Sequence, residues 1–369
     1  MELIPYLKAM AEKNASDLYF STGAPVAMKV HGVTSHVTKH ALLPGMTKEL
    51  AYSMMDDKQQ AEFEKELELD MSLGVDGLGR FRLNVFQQRG EVAMVVRYIT
   101  SNIPTIEALR LPKTLHHLIM EPRGLILVAG ATGSGKSTTL AAMIDYRNRH
   151  QAGHILTIED PIEYIHQHHQ SIVNQREVGV DTHSFNHALR RAMRESPDVI
   201  MVGEIRDKET MQQALTYAET GHLCLSTLHA SNANKALRRI VNFFPESAHN
   251  ELLMDLSLHL NAIVSQRLIP DSEHKRVPAV EILLNSPYVK DLVAKGDIDG
   301  IKDIMEKSSD QGMQTFDQSL LSLYHQGIIS SETALQFADS RNNVGIKLKL
   351  EKGKPMGGNF SVDLDDDFY

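Results

Sequence analysis

The stretch Gly130-Ala131-Thr132-Gly133-Ser134-Gly135-Lys136-Ser137-Thr138 constrains the fold of this chain more than any other. It follows the apolar run Leu125-Ile126-Leu127-Val128-Ala129 and leads into Thr139-Leu140-Ala141-Ala142-Met143, which reads as helix. Strand, glycine loop, Lys-Ser and helix in that order form the phosphate-binding loop in the context that supports it. The glycines let successive backbone N–H groups turn around a phosphate, and the helix N-terminus adds its positive dipole end. Gly130, Ala131, Thr132, Gly133, Ser134, Gly135, Lys136, Ser137 and Thr138 are therefore the expected nucleotide-binding residues. Lys136 is placed to reach the β- and γ-phosphates and the Ser137 hydroxyl to ligate Mg²⁺. The loop predicts a bound nucleoside triphosphate with Mg²⁺.

From this loop onward the apolar runs near Leu125, Ile155-Leu156-Thr157-Ile158, Val199-Ile200-Met201-Val202 and Leu223-Cys224-Leu225-Ser226 are separated by helix-length segments. That alternation predicts a parallel sheet with helices on both faces, an α/β fold. Before the loop, Asp17–Phe20 and Ala27–Val30 read as strands, and Lys48 to Leu67 as one or two surface helices. Gly79–Phe86 and Ala93–Ile99 flank Gln87-Gln88-Arg89-Gly90 as a hairpin. Ile103 to Pro112 is punctuated as a linker, and the chain reads as helical after about residue 285. The lone Cys224 reads as a core residue, and the N-terminus lacks a signal-peptide pattern. A net charge of −9 and the absence of tryptophan argue against nucleic acid as the main ligand.

In such sheets ligands sit beyond the carboxyl ends of the strands, so acids there are candidates for chemistry. Two clusters qualify: Glu159-Asp160-Pro161-Ile162-Glu163-Tyr164 and Gly203-Glu204-Ile205-Arg206-Asp207. Phosphoryl transfer needs an acid to hold Mg²⁺ and a group to orient the attacking water. Glu204 fits the first role, giving Ser137 and Glu204 as metal ligands, and Glu163 fits the second. Either acid alone reads equally well as a cap or a solvated carboxylate. Thr227-Leu228-His229-Ala230-Ser231-Asn232 puts His229 at a strand end, where it suits a γ-phosphate sensor or a structural hydrogen bond. His166, His168 and His169 read as surface residues without zinc spacing.

Together the glycine loop, Ile155–Tyr164, Val202–Asp207 and Thr220–Asn232 resemble the ordered motifs of the type II/IV secretion superfamily ATPases. Ser16-Asp17-Leu18, Gly79-Arg80-Phe81-Arg82, the strand ending at Arg97, Gln175-Arg176-Glu177-Val178 and Gly312-Met313-Gln314-Thr315-Phe316-Asp317 narrow the resemblance. They are similar to the type IV pilus retraction ATPases, the PilT/PilU family, over nearly the whole chain to about Asn342. The resemblance implies a PAS-like N-terminal α+β domain (1–100), a linker (101–122) and a RecA-like P-loop ATPase domain (123–285). A helical C-terminal region (286–345) and an acidic, disordered tail (346–369) complete the expected organisation. It also implies catalytic roles for Glu163, Glu204 and His229, and arginine fingers at Arg82 and Arg97. From sequence alone those arginines read as strand-surface charges.

The implied assembly is a homo-hexamer with a PilT-type partner and a PilC-type inner-membrane platform protein, at the cytoplasmic face of the pilus base. Where retraction motors carry Ala-Ile-Arg-x-Leu-Ile-Arg, this chain has Tyr288-Val289-Lys290-Asp291-Leu292-Val293-Ala294. That departure and the tail Asp363–Tyr369 place it on the PilU side and raise an alternative: an accessory subunit that binds ATP and reinforces a partner motor. The tail reads first as a solubilising disordered end; the sharper alternative is that Asp363–Tyr369 docks on a basic, apolar-lined surface of such a partner. An extension or secretion ATPase would usually carry a tetracysteine metal motif, which one cysteine cannot supply, and a nucleic-acid translocase is a more distant possibility.

Overall fold

The computed structural model describes residues 2–352 apart from positions 14, 31, 100, 101 and 274. The first elements are α1 (Ile4–Glu12), β1 (Ala15–Phe20), β2 (Ala27–Val30), β3 (Val33–His36), α2 (Met46–Tyr52) and α3 (Asp57–Glu66). Then come β4 (Glu68–Val75), β5 (Gly79–Gln88), β6 (Glu91–Ile99), α4 (Thr114–Ile119), β7 (Gly124–Ala129), α5 (Lys136–His150), β8 (Gly153–Glu159) and β9 (Ser171–Glu177). They are followed by α6 (Phe185–Ala192), β10 (Val199–Val202), α7 (Lys208–Glu219), β11 (Leu223–Leu228), α8 (Ala233–Asn242) and α9 (His249–His259). The last are β12 (Leu260–Pro270), β13 (Arg276–Leu284), α10 (Pro287–Ala294), α11 (Ile301–Lys307), α12 (Phe316–His325), α13 (Ser331–Phe337) and α14 (Arg341–Lys352).

The described residues form two compact units, 2–108, 113–127 and 136–228 in the first, and 109–112, 128–135 and 229–352 in the second. In the first unit, β1 to β6 make an antiparallel sheet in the order β3-β2-β1-β6-β5-β4. Its strands alternate as a half-buried sheet should: Phe81, Leu83 and Val85 on β5 and Val92, Met94 and Val96 on β6 are buried. These side chains pack with Leu7 and Met10 of α1, Leu50 of α2 and Phe63 of α3. The opposite face carries one cross-strand row, Asp17, Arg97, Arg82 and Ser72, set by the register of β1, β6, β5 and β4. Helix α3 starts on a capping box, with the Asp56 carboxylate accepting from the Gln59 N–H at 2.8 Å.

The remaining strands of the first unit run in the order β7-β11-β10-β8-β9. β10 pairs parallel with both β8 and β11. Every residue of β7, β10 and β11 is buried, which is why these strands read as continuous apolar runs. β9 is parallel to β8, with Thr157 opposite Gln175 and Glu159 opposite Glu177. Cys224 lies in the core as expected, and burial pushes its thiol up to about 12. The expectation for His166 is corrected: it is buried, because the segment after Glu163 is tied to Asn148 of α5 and to Gln175 of β9, and burial drives its pKa down to about 4.

In the second unit β12 pairs antiparallel with β13, from Ala262 opposite Leu284 to Pro270 opposite Arg276. The apolar spacing of the sequence does not mark this antiparallel pair. Helices α12, α13 and α14 close a small core of Ile269, Val277, Ala279, Phe316, Leu320, Ala334, Val344 and Leu348. Helix α14 continues past residue 345 to Lys352, so residues 346–352 are helical, unlike the expected tail. Asp363–Tyr369 lies outside the described residues.

Candidate active site

Strand β7 ends in the phosphate loop, and its glycines are required by geometry. Gly133 and Gly135 have φ of 75° and 89°, the left-handed region that side chains disfavour. A Cβ on Gly130 would lie 2.3 Å from Ser134 Oγ and 2.7 Å from the Gln266 carbonyl oxygen. One on Gly135 would lie 2.8 Å from Gln266 Nε2, whereas one on Gly133 would meet nothing within 4 Å. Ser134 Oγ is buried without a hydrogen-bond partner. A buried orphan hydroxyl among glycine N–H groups is what a phosphate oxygen would satisfy. Gly133→Ala is expected to cost about 1 kcal/mol through φ alone, and Gly135→Ala roughly 2 kcal/mol or more through φ and the Gln266 contact. Thermal melts with and without ADP measure the difference.

Helix α5 begins at Lys136, whose side chain is buried despite its charge. Burial pulls its pKa below the usual lysine value, and the carboxylates of Glu204 and Glu163 act against that pull. The structure thus brings three of the sequence-predicted residues into one electrostatic group. Glu204 follows β10 and is 16% exposed, with its carboxylate paired to the Arg206 guanidinium. Asp207, two residues beyond Ile205, is the N-cap of α7 and accepts from the Thr210 N–H at 2.8 Å. The capping role therefore falls to Asp207 and leaves Glu204 for other work. Ser226 and Thr227 donate to the Val202 and Gly203 carbonyls, each at 2.7 Å, fixing the end of β11 against the segment before Glu204.

Glu163 is exposed, on the segment between β8 and β9. Its neighbours are held tightly: Ile162 N–H donates to Glu177 Oε2 at 3.3 Å, and Gln175 Nε2 donates to the Tyr164 carbonyl at 2.8 Å. The Tyr164 and Thr138 hydroxyls are hydrogen-bonded at 2.9 Å, tying this segment to α5. Gln175, Glu177 and Tyr164 are therefore supporting residues that no strand-end rule marks. Glu159, at the end of β8, is buried and receives hydrogen bonds from Thr157 Oγ1 at 2.7 Å and Gln175 Nε2 at 3.2 Å. Burial raises its carboxyl to about 7, only partly opposed by those donors.

A carboxyl whose folded pKa lies above its unfolded value favours the fold fully below the unfolded pKa and loses that contribution as pH rises through 7. Glu159→Gln keeps the acceptor and removes the charge. It is expected to stabilise the protein at pH 8.5 by up to about 3 kcal/mol and to be neutral near pH 4. Urea denaturation at both pH values checks the sign.

Arg82 and Arg97 face each other on β5 and β6. Arg97 Nε pairs with Asp17 Oδ1 at 2.9 Å and Arg82 with Asp70 Oδ2 at 3.2 Å, so two like charges directly opposed across strands are each neutralised by a carboxylate. Arg97 keeps 65% of its side chain exposed while its Nε holds Asp17. His229 follows β11 and is half-buried, three residues before the α8 N-cap Asn232, which accepts from the Lys235 N–H at 2.9 Å. Among the described residues no helix is long and apolar enough to cross a membrane.

Residues 3–329 match the family described as Type II/IV secretion system protein. The chain belongs to that family. It is 51% identical to the type IV pilus ATPase PilU of Pseudomonas aeruginosa, over 95% of this chain and 92% of that protein. It is 42% identical to PilT, the type IV pilus retraction ATPase of the same organism, over 93% of this chain and all of PilT. A crystal structure of the pilus retraction motor PilT with bound ADP superposes with a TM-score of 0.87 at 43% identity, covering 93% of this chain and 98% of that one. As a type II/IV secretion-family member of the PilT/PilU kind, the protein is a nucleotide-binding ATPase with a RecA-like α/β core and an N-terminal α+β domain.

Proposed function

We propose that this ATPase is a motor of the type IV pilus machinery that works in pilus retraction and twitching motility. The likeness to PilU and PilT carries the pilus part of the reading, and the buried Lys136 at the start of the helix that follows the phosphate loop carries the hydrolytic site. Ser137 and Glu204 are the groups that would hold Mg²⁺, which takes one or two protein ligands alongside substrate phosphates and neutralises their charge. Lys136 draws in the terminal phosphates, and the helix start supplies N–H groups and dipole. Glu163, exposed on a segment braced by Glu177, Gln175 and Thr138, orients the attacking water.

Arg82 and Arg97 supply mobile positive charge for the γ-phosphate, since a guanidinium fork stays charged and matches phosphate oxygens. His229 reports the phosphate's presence. Movement of the N-terminal domain as the phosphate leaves would then do mechanical work. The working form on this reading is a homo-hexamer at the cytoplasmic face of the inner membrane, with a PilT-type partner and a PilC-type platform protein. Arg97→Ala is expected to lower the turnover number at least about tenfold while ADP affinity holds. A titration with ADP beside a phosphate-release assay measures the split.

A second reading, an accessory subunit whose hydrolysis is dispensable, is favoured by α10. The Tyr288–Ala294 stretch forms a helix that presents Tyr288 57% exposed instead of arginines. Retraction in cells carrying this protein alone, the partner alone, both, or the partner with the Glu163→Gln variant separates the two. Loss of twitching in the last strain supports a working motor, and full twitching supports the accessory role.

A further inference from the structure

Gly312-Met313-Gln314-Thr315-Phe316-Asp317 has no part in the chemistry above, and neither does the long strand β12. In the structure they meet around Arg267. The Arg267 guanidinium lies 3.8 Å from the centroid of the buried Phe316 ring and pairs with Asp339 Oδ1 at 2.7 Å. It also points at the Ser231 carbonyl (Nη2, 3.3 Å) and the Phe337 carbonyl (Nη1, 3.4 Å). One planar fork thus joins the segment that follows His229 to α12 and to the α13–α14 connection. A fork of fixed geometry serves several acceptors and a ring face at once, which lysine cannot do.

The rest of the motif builds the receptor for this fork. Thr315 caps α12 in a capping box with Gln318. Gln314 Nε2 donates to the Val280 carbonyl at 2.7 Å, and its backbone bridges Ile282. The Asp317 carboxylate accepts from the Asp339 and Ser340 N–H groups at 2.7 and 3.1 Å, so the residue Arg267 grips is itself held by the motif. Glu281 on β13 accepts from the Ala233 N–H at 2.7 Å, fixing the start of α8 just beyond Ser231. On the other side, the neighbouring residue Gln266 lies against the phosphate loop at both Gly130 and Gly135. Consecutive residues of a strand face opposite ways, so β12 touches the loop with one residue and the C-terminal helices with the next.

We propose that Arg267 is a positioning residue through which β12 couples the state of the phosphate loop to the His229–Asn232 segment and the C-terminal helices α12 to α14. The proposal rests on the reading that the loop holds ATP. A close-packed strand cannot shift at Gln266 without carrying Arg267, and the fork converts that shift into a movement of Asp339 and α14. Coupling of this kind requires that nucleotide binding bias the arrangement of the distant element, and that the bias vanish when the fork is cut.

Hydrogen–deuterium exchange on the full chain, with and without saturating non-hydrolysable ATP analogue, tests it. In the wild type, exchange of peptides spanning 331–350 is expected to change at least twofold when the analogue binds. Arg267→Met keeps an unbranched apolar side chain beside Phe316 and removes the fork. Asp339→Asn keeps the fork and removes its anionic partner, and serves if the first variant fails to fold. Both should bind the analogue within threefold of wild type and lose the response in 331–350. A response retained in either folded variant, or absent from a wild type that binds the analogue, overturns the proposal. A wild type that fails to bind the analogue overturns the ATPase reading first and the proposal with it.

Discussion

Lys136→Ala is expected to weaken nucleotide binding and to all but abolish hydrolysis. The ammonium sits buried at the first position of α5, where burial already disfavours its charge and Glu204 and Glu163 sustain it. Alanine leaves the two carboxylates without the cation between their fields and the incoming phosphates. A charged hydrogen bond of this kind contributes about 1.5–3 kcal/mol, so ADP affinity should fall roughly ten- to a hundredfold. Turnover should fall further, by about 10³-fold or more, because charge on the transferred phosphoryl group peaks in the transition state. Calorimetric ADP titration and a phosphate-release assay read the two effects. Turnover within a few-fold of wild type would remove Lys136 from the site.

Glu163→Gln should separate what Lys136→Ala joins. The side chain is exposed and its segment is braced by contacts that do not involve the carboxylate: Ile162 to Glu177, Tyr164 to Gln175 and Tyr164 to Thr138. Glutamine keeps size and shape and loses the charge that accepts a proton from water. Nucleotide affinity should stay within about threefold while turnover drops roughly 10²- to 10⁴-fold, the usual worth of a positioned acid or base. A variant that binds poorly instead would make Glu163 a binding residue.

The parts legible in the sequence are those whose physics is local. The phosphate loop needs only its own glycines and flanking elements, and the β5–β6 hairpin announces itself by alternation around Gln87–Gly90. Buried parallel strands read as apolar runs because both faces are covered. β9 lacks such a run, since Ser171, Asn174, Gln175 and Arg176 dilute it, although its Gln175–Val178 segment carries family resemblance. β12 and β13 mix Gln266, Arg267 and Glu281 into their strands for contacts made elsewhere in the fold. His166 reads as surface because two exposed histidines follow it and nothing local reveals the ties of its segment to Asn148 and Gln175. The grip of Arg267 joins Ser231, Phe316 and Asp339, residues far apart in the chain, and no periodicity encodes that meeting. Arg82 and Arg97 sit on strand surfaces, as their pattern indicates; the carboxylates that pair with them come from other strands.

Single-turnover hydrolysis tests the central claim most directly, with ATP and Mg²⁺ supplied below the protein concentration and ADP counted over time. Wild type should convert its bound ATP within the time of one steady-state cycle. Glu163→Gln should hold the same amount of ATP and convert it at least about 10²-fold more slowly. Equal conversion rates in the two proteins would contradict a site in which Glu163 prepares the attacking water.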